Sequence, residues 1–190
     1  MHEYLFSNKG TKGENKMPNH VKNVLKFKNL KQDDIDFILN TIAIESEDTP
    51  RSYWIDFDKI IPQPATEDEC PEIFKVNKDS HISPDEERPW FDWYRWRLHY
   101  WDTKWGAYDC YSLIGKTYVT FVFNTAWSTS VPIMERLTLL GYTFELKFAD
   151  EDYGNNCGRI TYSREQGFEI FDESSFKNPG RWAENLWSTY

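Results

Sequence analysis

Carboxylates are the side chains in this chain most densely placed for chemistry. Glu67, Asp68, Glu69 and Glu72 are followed by Asp85, Glu86 and Glu87, and residues 45–87 hold 13 acidic groups against 4 basic ones. That one segment carries a charge equal to the net −9 of the whole 190-residue chain. Carboxylates gathered in this way attract a basic partner and speed its encounter. Set at phosphate-like spacing, they could occupy the nucleic-acid channel of another protein. The plainer alternative is a solvated insertion that keeps the chain soluble. A second group is Thr103-Lys104-Trp105, with Asp109 close behind and Thr125-Ala126-Trp127 further on. A lysine among indoles, paired with a carboxylate such as Asp58 or Asp109, would be either a folding device or a pocket formed by Lys104, Trp105, Trp127 and Asp109. A third group is the aromatic stretch 90–105, which holds five of the nine tryptophans. It reads as a stacking platform for bases or a ligand, with Arg95 and Arg97 on phosphates, or as rings that fill the space between a helix and a sheet.

Other chemistries lack the spacing they need. His20, His81, His99, Cys70, Cys110 and Cys157 are scattered, with no Cys-x2-Cys or His-x3-His pair, so no metal site is assigned. The glycines are isolated and make no phosphate-binding loop. Asp150, Glu151, Asp152, Asn155 and Asn156 offer oxygens to a hard cation but lack the EF-hand interval, and read better as a solvated turn. No nucleophile–base pair stands out, and no catalytic residue or cofactor is assigned. The expectation is a protein that is not an enzyme.

Composition sets the frame. Aromatics make up 17% of the residues, which excludes a typical disordered chain. No apolar run approaches the roughly 18 to 20 residues that span a bilayer. The first residues lack the charged-then-apolar order of a signal peptide. Three cysteines form no disulfide framework, and a reducing cytoplasm is the expected setting.

The groups above must be positioned by regular elements. Residues 1–16 read as a flexible N-terminal extension, and 17–190 as a single domain with an acidic insertion at about 64–88 and a C-terminal tail at 173–190. Val21, Asn23, Leu25 and Phe27 share one parity and Lys22, Val24, Lys26 and Lys28 the other, so a strand is expected over 20–28. Ile35, Ile38, Leu39 and Ile42 then mark an amphipathic helix, with Asp33, Asp34 and Asp36 near its start. Alternation at Tyr53, Ile55 and Phe57 suggests a strand that Pro62 and Pro64 end. Pro89 suits the first turn of an aromatic helix that Gly106 stops, with Trp90, Tyr94, Leu98, Trp101 and Trp105 as its seam. Strands at 108–114 and 117–124 flank a two-residue Gly115-Lys116 turn. A helix over 131–140, strands over 142–148, 157–162 and 168–171, and a helix within 179–187 complete the series. The order specifies an α+β fold: a ferredoxin-like antiparallel sheet with helices packed on one face, an acidic insertion and an aromatic-rich helix.

Several motifs also carry a family likeness. They are Met17-Pro18-Asn19-His20-Val21, Phe57-Asp58-Lys59-Ile60-Ile61-Pro62-Gln63-Pro64, and Trp93-Tyr94 with His99-Tyr100-Trp101-Asp102-Thr103-Lys104-Trp105. They continue in Phe123-Asn124-Thr125-Ala126-Trp127-Ser128 before Val131-Pro132, and in Tyr153-Gly154 before Cys157-Gly158. Over about residues 17–163 the chain resembles the family with a YubB-type ferredoxin-like domain. The resemblance implies that fold and a setting in phages, plasmids and mobile elements, but no established activity.

The leading expectation is therefore a non-enzymatic protein of a phage or mobile element, a counter-defence inhibitor of the anti-CRISPR type. Its partner would be a host defence protein such as a CRISPR effector, met in the host cytoplasm. The contact residues would be Glu67, Asp68, Glu69, Glu72, Asp85, Glu86 and Glu87. On this reading there is no membrane contact and no direct nucleic-acid binding, and surface aromatics suit a homodimer interface. The alternatives are a single-stranded nucleic-acid binder that uses exposed aromatics, and an enzyme with a pocket near Lys104 and Trp127.

Overall fold

The computed structural model of the chain describes residues 19–47, 49–76 and 90–190. The first strand, β1 (His20–Phe27), buries Val21, Leu25 and Phe27 on one face, as its alternation requires. Helix α1 (Gln32–Ile42) buries Ile35, Ile38, Leu39 and Ile42 on that face, and its Asp34 carboxylate accepts the Lys31 N–H at 2.8 Å. Two short strands, β2 (Ala43–Glu45) and β3 (Tyr53–Ile55), form a separate antiparallel pair. The expected strand from Tyr53 stops at Ile55, because the Asp56 carboxylate accepts the Asp58 N–H and starts helix α2 (Phe57–Ile60) instead. A 3-10 turn at Glu72–Phe74 follows in the acidic segment.

The aromatic helix is shorter than its composition suggests. Helix α3 (Trp93–Tyr100) begins at Asp92, whose side chain accepts the Arg95 N–H at 3.1 Å. It does not continue to Gly106: Asp102 takes a left-handed φ of 59° and reverses the chain. The expected seam is broken with it. Phe91, Trp96 and Trp101 are the buried rings of the stretch, whereas Trp90, Tyr94, Leu98 and Trp105 are half-buried.

Strands β4 (Tyr108–Ile114) and β5 (Val119–Ala126) pair across residues 115–118, a four-residue connection rather than a two-residue turn. Helix α4 (Val131–Leu137) passes into a 3-10 turn that ends at Gly141, whose φ of 73° closes the last turn. Strands β6 (Phe144–Asp150), β7 (Cys157–Ser163) and β8 (Gly167–Phe171) then form a meander, and helix α5 (Pro179–Thr189) ends the chain.

The six long strands form one antiparallel sheet in the order β4-β5-β1-β6-β7-β8. The series β1-α1-β4-β5-α4-β6 accounts for the first four positions, and this is the ferredoxin-like arrangement. Helices α1 and α4 cover the face of Val21, Leu25, Phe121, Phe123 and Leu146 as expected. The second face is not left bare. Val24, Val122, Ala149 and Cys157 form a smaller cluster there with Ala183 and Leu186 of α5. The expectation of helices on one face therefore holds for α1 and α4, and α5 departs from it. Among the described residues no helix is long and apolar enough to cross a membrane.

Candidate functional site

The acidic segment is bound to the domain through its apolar residues. Pro64, Cys70 and Phe74 are buried, and the Phe74 ring lies 5.4 Å from His99 and 5.7 Å from Tyr100. Backbone bonds join the segment to the start of the aromatic stretch: Val76 N–H to Trp90 C=O at 2.9 Å, and Asp92 N–H to Phe74 C=O at 2.8 Å. Glu67, Asp68, Glu69 and Glu72 project from this anchored backbone and are exposed. Glu69 accepts the Ala65 N–H at 2.9 Å, which fixes the turn. Glu72 pairs with Lys75 at 2.7 Å, and that hydrogen bond raises the lysine pKa. The four carboxylates are thus brought together; Asp85, Glu86 and Glu87 lie outside the described residues.

The second group is assembled only in part. Lys104 is half-buried, with its Nζ 4.8 Å from the Trp105 ring and 5.7 Å from the Trp127 ring. This is a cation held between two indoles. The expected pairing with Asp58 or Asp109 is not formed. Asp58 accepts the Gln63 N–H at 2.7 Å. Asp109 sits at a bulge of β4 with φ 50°, is exposed, and accepts from Asn124 at 3.1 Å. Trp127 is 40% exposed and holds a left-handed φ of 71°, a conformation rare for a bulky residue. Its backbone is gripped on both sides, by Asn19 C=O at 2.9 Å and by Asn156 Nδ2 at 2.7 Å. Trp105 and the exposed Trp127 thus form a cage around the Lys104 cation at the surface.

What shapes this cage is a buried hydroxyl network that motif reading alone does not show. Thr103 Oγ1 donates to Ala126 C=O at 2.8 Å and accepts the Ala126 N–H at 3.0 Å. Ser128 donates to Asp102 C=O. Thr125 Oγ1 donates to Ser128 C=O at 2.7 Å and accepts from Asn23 at 2.9 Å, while Thr129 donates to Asn23 Oδ1 at 2.6 Å. The Thr-Lys-Trp and Thr-Ala-Trp-Ser motifs are therefore two halves of one joint. The available signal was Asn23, a polar residue in the apolar parity of β1.

Nearby, His20 Nδ1 and the Tyr108 hydroxyl share a hydrogen bond of 2.5 Å. Burial, then Asp109 and Glu151, push the Tyr108 pKa up to about 12. Burial and then Asp109 likewise push the Cys110 thiol up to about 12, and burial raises Cys70 and Cys157. None of these groups is tuned as a nucleophile near neutral pH. Among the described residues, no group of three or more His, Cys, Asp or Glu is placed to hold a metal ion.

Comparison with known proteins bears on the fold. No curated protein and no solved structure matches the chain. Residues 100–185 match the family model of the ferredoxin-like domain in Api92-like protein, a span that runs from the end of α3 into α5. In its second half the chain is similar to that ferredoxin-like domain, in keeping with the sheet described above.

Proposed function

We propose that this is a non-enzymatic protein of a phage or mobile element, an inhibitor of the anti-CRISPR type that docks on a host nucleic-acid-binding effector. The observation that carries the proposal is the presentation of Glu67, Asp68, Glu69 and Glu72 on a backbone anchored by Cys70 and Phe74. A charged loop held in one geometry loses less entropy on docking than a free one and can match a fixed pattern of Lys and Arg. The setting is the host cytoplasm. The test is capture of host CRISPR effectors by the full chain at low and high salt, beside the variant with Glu67, Asp68, Glu69 and Glu72 neutralised. Capture that weakens with salt and is lost in the variant supports the proposal. Failure to capture any effector, or inhibition untouched by neutralisation, refutes it.

A second reading has its own observation. On the second sheet face Lys22, Lys26, Lys147 and Arg159 lie over the rings of Trp187, Tyr118, Trp182 and Phe171, at 4.6, 4.3, 5.7 and 4.6 Å. Basic groups interleaved with aromatics suit single-stranded nucleic acid. Quenching of tryptophan fluorescence by oligonucleotides, relieved by salt, would favour this reading; a flat titration would remove it.

A further inference from the structure

Beside the acidic segment lies a cleft of about 290 Å³. Among the described residues it is lined by Pro62, Pro64, Pro71, Trp96 and Tyr100, with Glu69 also lining it. Trp96 and Tyr100 pack with ring centroids 4.7 Å apart. One oxygen of Glu69 is used by the Ala65 N–H, and the other has no partner among the described residues. Among the described residues no basic side chain lines this cleft, whereas a neighbouring cleft that shares Gln63 holds Arg97 together with Asp56 and Asp58.

We propose that this cleft receives one arginine side chain of the protein partner, its stem on the prolines and ring edges and its guanidinium on Glu69. The proposal rests on the inhibitor reading above and names the anchor of that contact. Aromatic rings, apolar walls and one carboxylate oxygen with no partner among the described residues favour a flat, delocalised cation that stacks and bonds in one plane. A compact ammonium keeps its water more tightly and gains less from such walls. The surrounding Glu67, Asp68 and Glu72 supply the attracting field, while the cleft supplies selectivity. Binding energy in interfaces concentrates in such filled clefts and spreads thinly over charged rims.

The test uses the full chain with tetra-arginine and tetra-lysine peptides, read by calorimetry. Glu69→Gln keeps an acceptor for the Ala65 N–H and removes one charge; the Glu67→Gln/Asp68→Asn double variant removes two charges from the rim. The expected result is tighter binding of tetra-arginine than of tetra-lysine. Glu69→Gln should weaken tetra-arginine about tenfold, more than the double variant does. Equal binding of the two peptides, no saturable binding, or a larger loss in the double variant overturns the proposal, because each would show diffuse charge attraction only. Effector capture separates the two readings. Capture that survives Glu69→Gln but is lost on neutralising the rim refutes the cleft and leaves the inhibitor. Tetra-arginine binding without any effector capture refutes the inhibitor and leaves the cleft.

Discussion

Thr103 makes two hydrogen bonds to a single residue, donating to the carbonyl of Ala126 and accepting from its N–H, and it is fully buried. A valine there has the same shape but leaves the Ala126 N–H without a partner and its carbonyl with only the Ser128 N–H, at 3.0 Å. An unsatisfied buried group costs about 1 to 3 kcal/mol, so Thr103→Val should lower stability to urea by at least that much, while Thr103→Ser stays close to the parent. Equal denaturation midpoints for the two variants would refute the role. Asp102, one residue earlier, tests the electrostatics. Burial first, then Glu135, raise its carboxyl pKa, with His99 opposing. A raised value means that the folded state holds the proton more tightly than the unfolded chain. The group therefore costs stability above its folded pKa and costs nothing below the unfolded value of about 3.9. Asparagine also tolerates the left-handed backbone at this position. Asp102→Asn should raise Tm at pH 7 and not at pH 3. Exposure and solvent screening hold the gain to about 0.5 kcal/mol or less. A gain of the same size at both pH values would rule out the charge account.

Strands were more legible than the aromatic helix, for a physical reason. The period-2 pattern of β1 and β6 reports burial on a sheet face, and burial decides those strands. The reach of α3 is decided elsewhere, by the left-handed turn at Asp102 and the bond from Ser128 to its carbonyl, both of which depend on β5 being in place. Asp109 is close to Lys104 in sequence, but the register shift between Tyr108 and Tyr111 places it at a bulge, where its carboxylate accepts from Asn124. The acidic insertion was legible as charge, but its anchoring through Phe74 was not, since one ring in a polar stretch has no period. For α5 the pattern gives a helix and not the face it covers. The Cys157-Gly158 motif has a specific reason at this scale. A Cβ on Gly158 would meet the Phe171 carbonyl oxygen at 2.4 Å and the Phe148 ring at 2.6 Å. The oxygen is backbone and cannot swing away, so Gly158→Ala should force β8 off β7 at a cost of about 1 to 3 kcal/mol. Amide exchange in Gly167–Phe171 should accelerate in that variant while β1 stays protected. Unchanged exchange in β8 would show that the strands shift together without loss.

At the scale of the whole molecule, the matched span and the folded unit differ. Residues 100–185 contain β4 to β8 and most of α5, but the strand between β5 and β6 is β1, from residues 20–27. Remove β1 and the sheet divides into a two-stranded hairpin and a three-stranded meander, each with an open edge. Its Leu25 and Phe27 also leave the main core, and Val24 leaves the cluster under α5. A lone hairpin is marginal in water, and exposed edges invite association. The fragment 100–185 should therefore show poor amide dispersion by NMR and associate on sizing, whereas a chain from residue 17 to 190 should be dispersed and fold cooperatively. A synthetic peptide of residues 19–47 supplies β1 and α1, and added to the fragment it should restore dispersion at a one-to-one ratio. A monomeric, well-dispersed 100–185 would mean that β5 and β6 close on each other without β1, and that the central strand is an addition to a domain already complete.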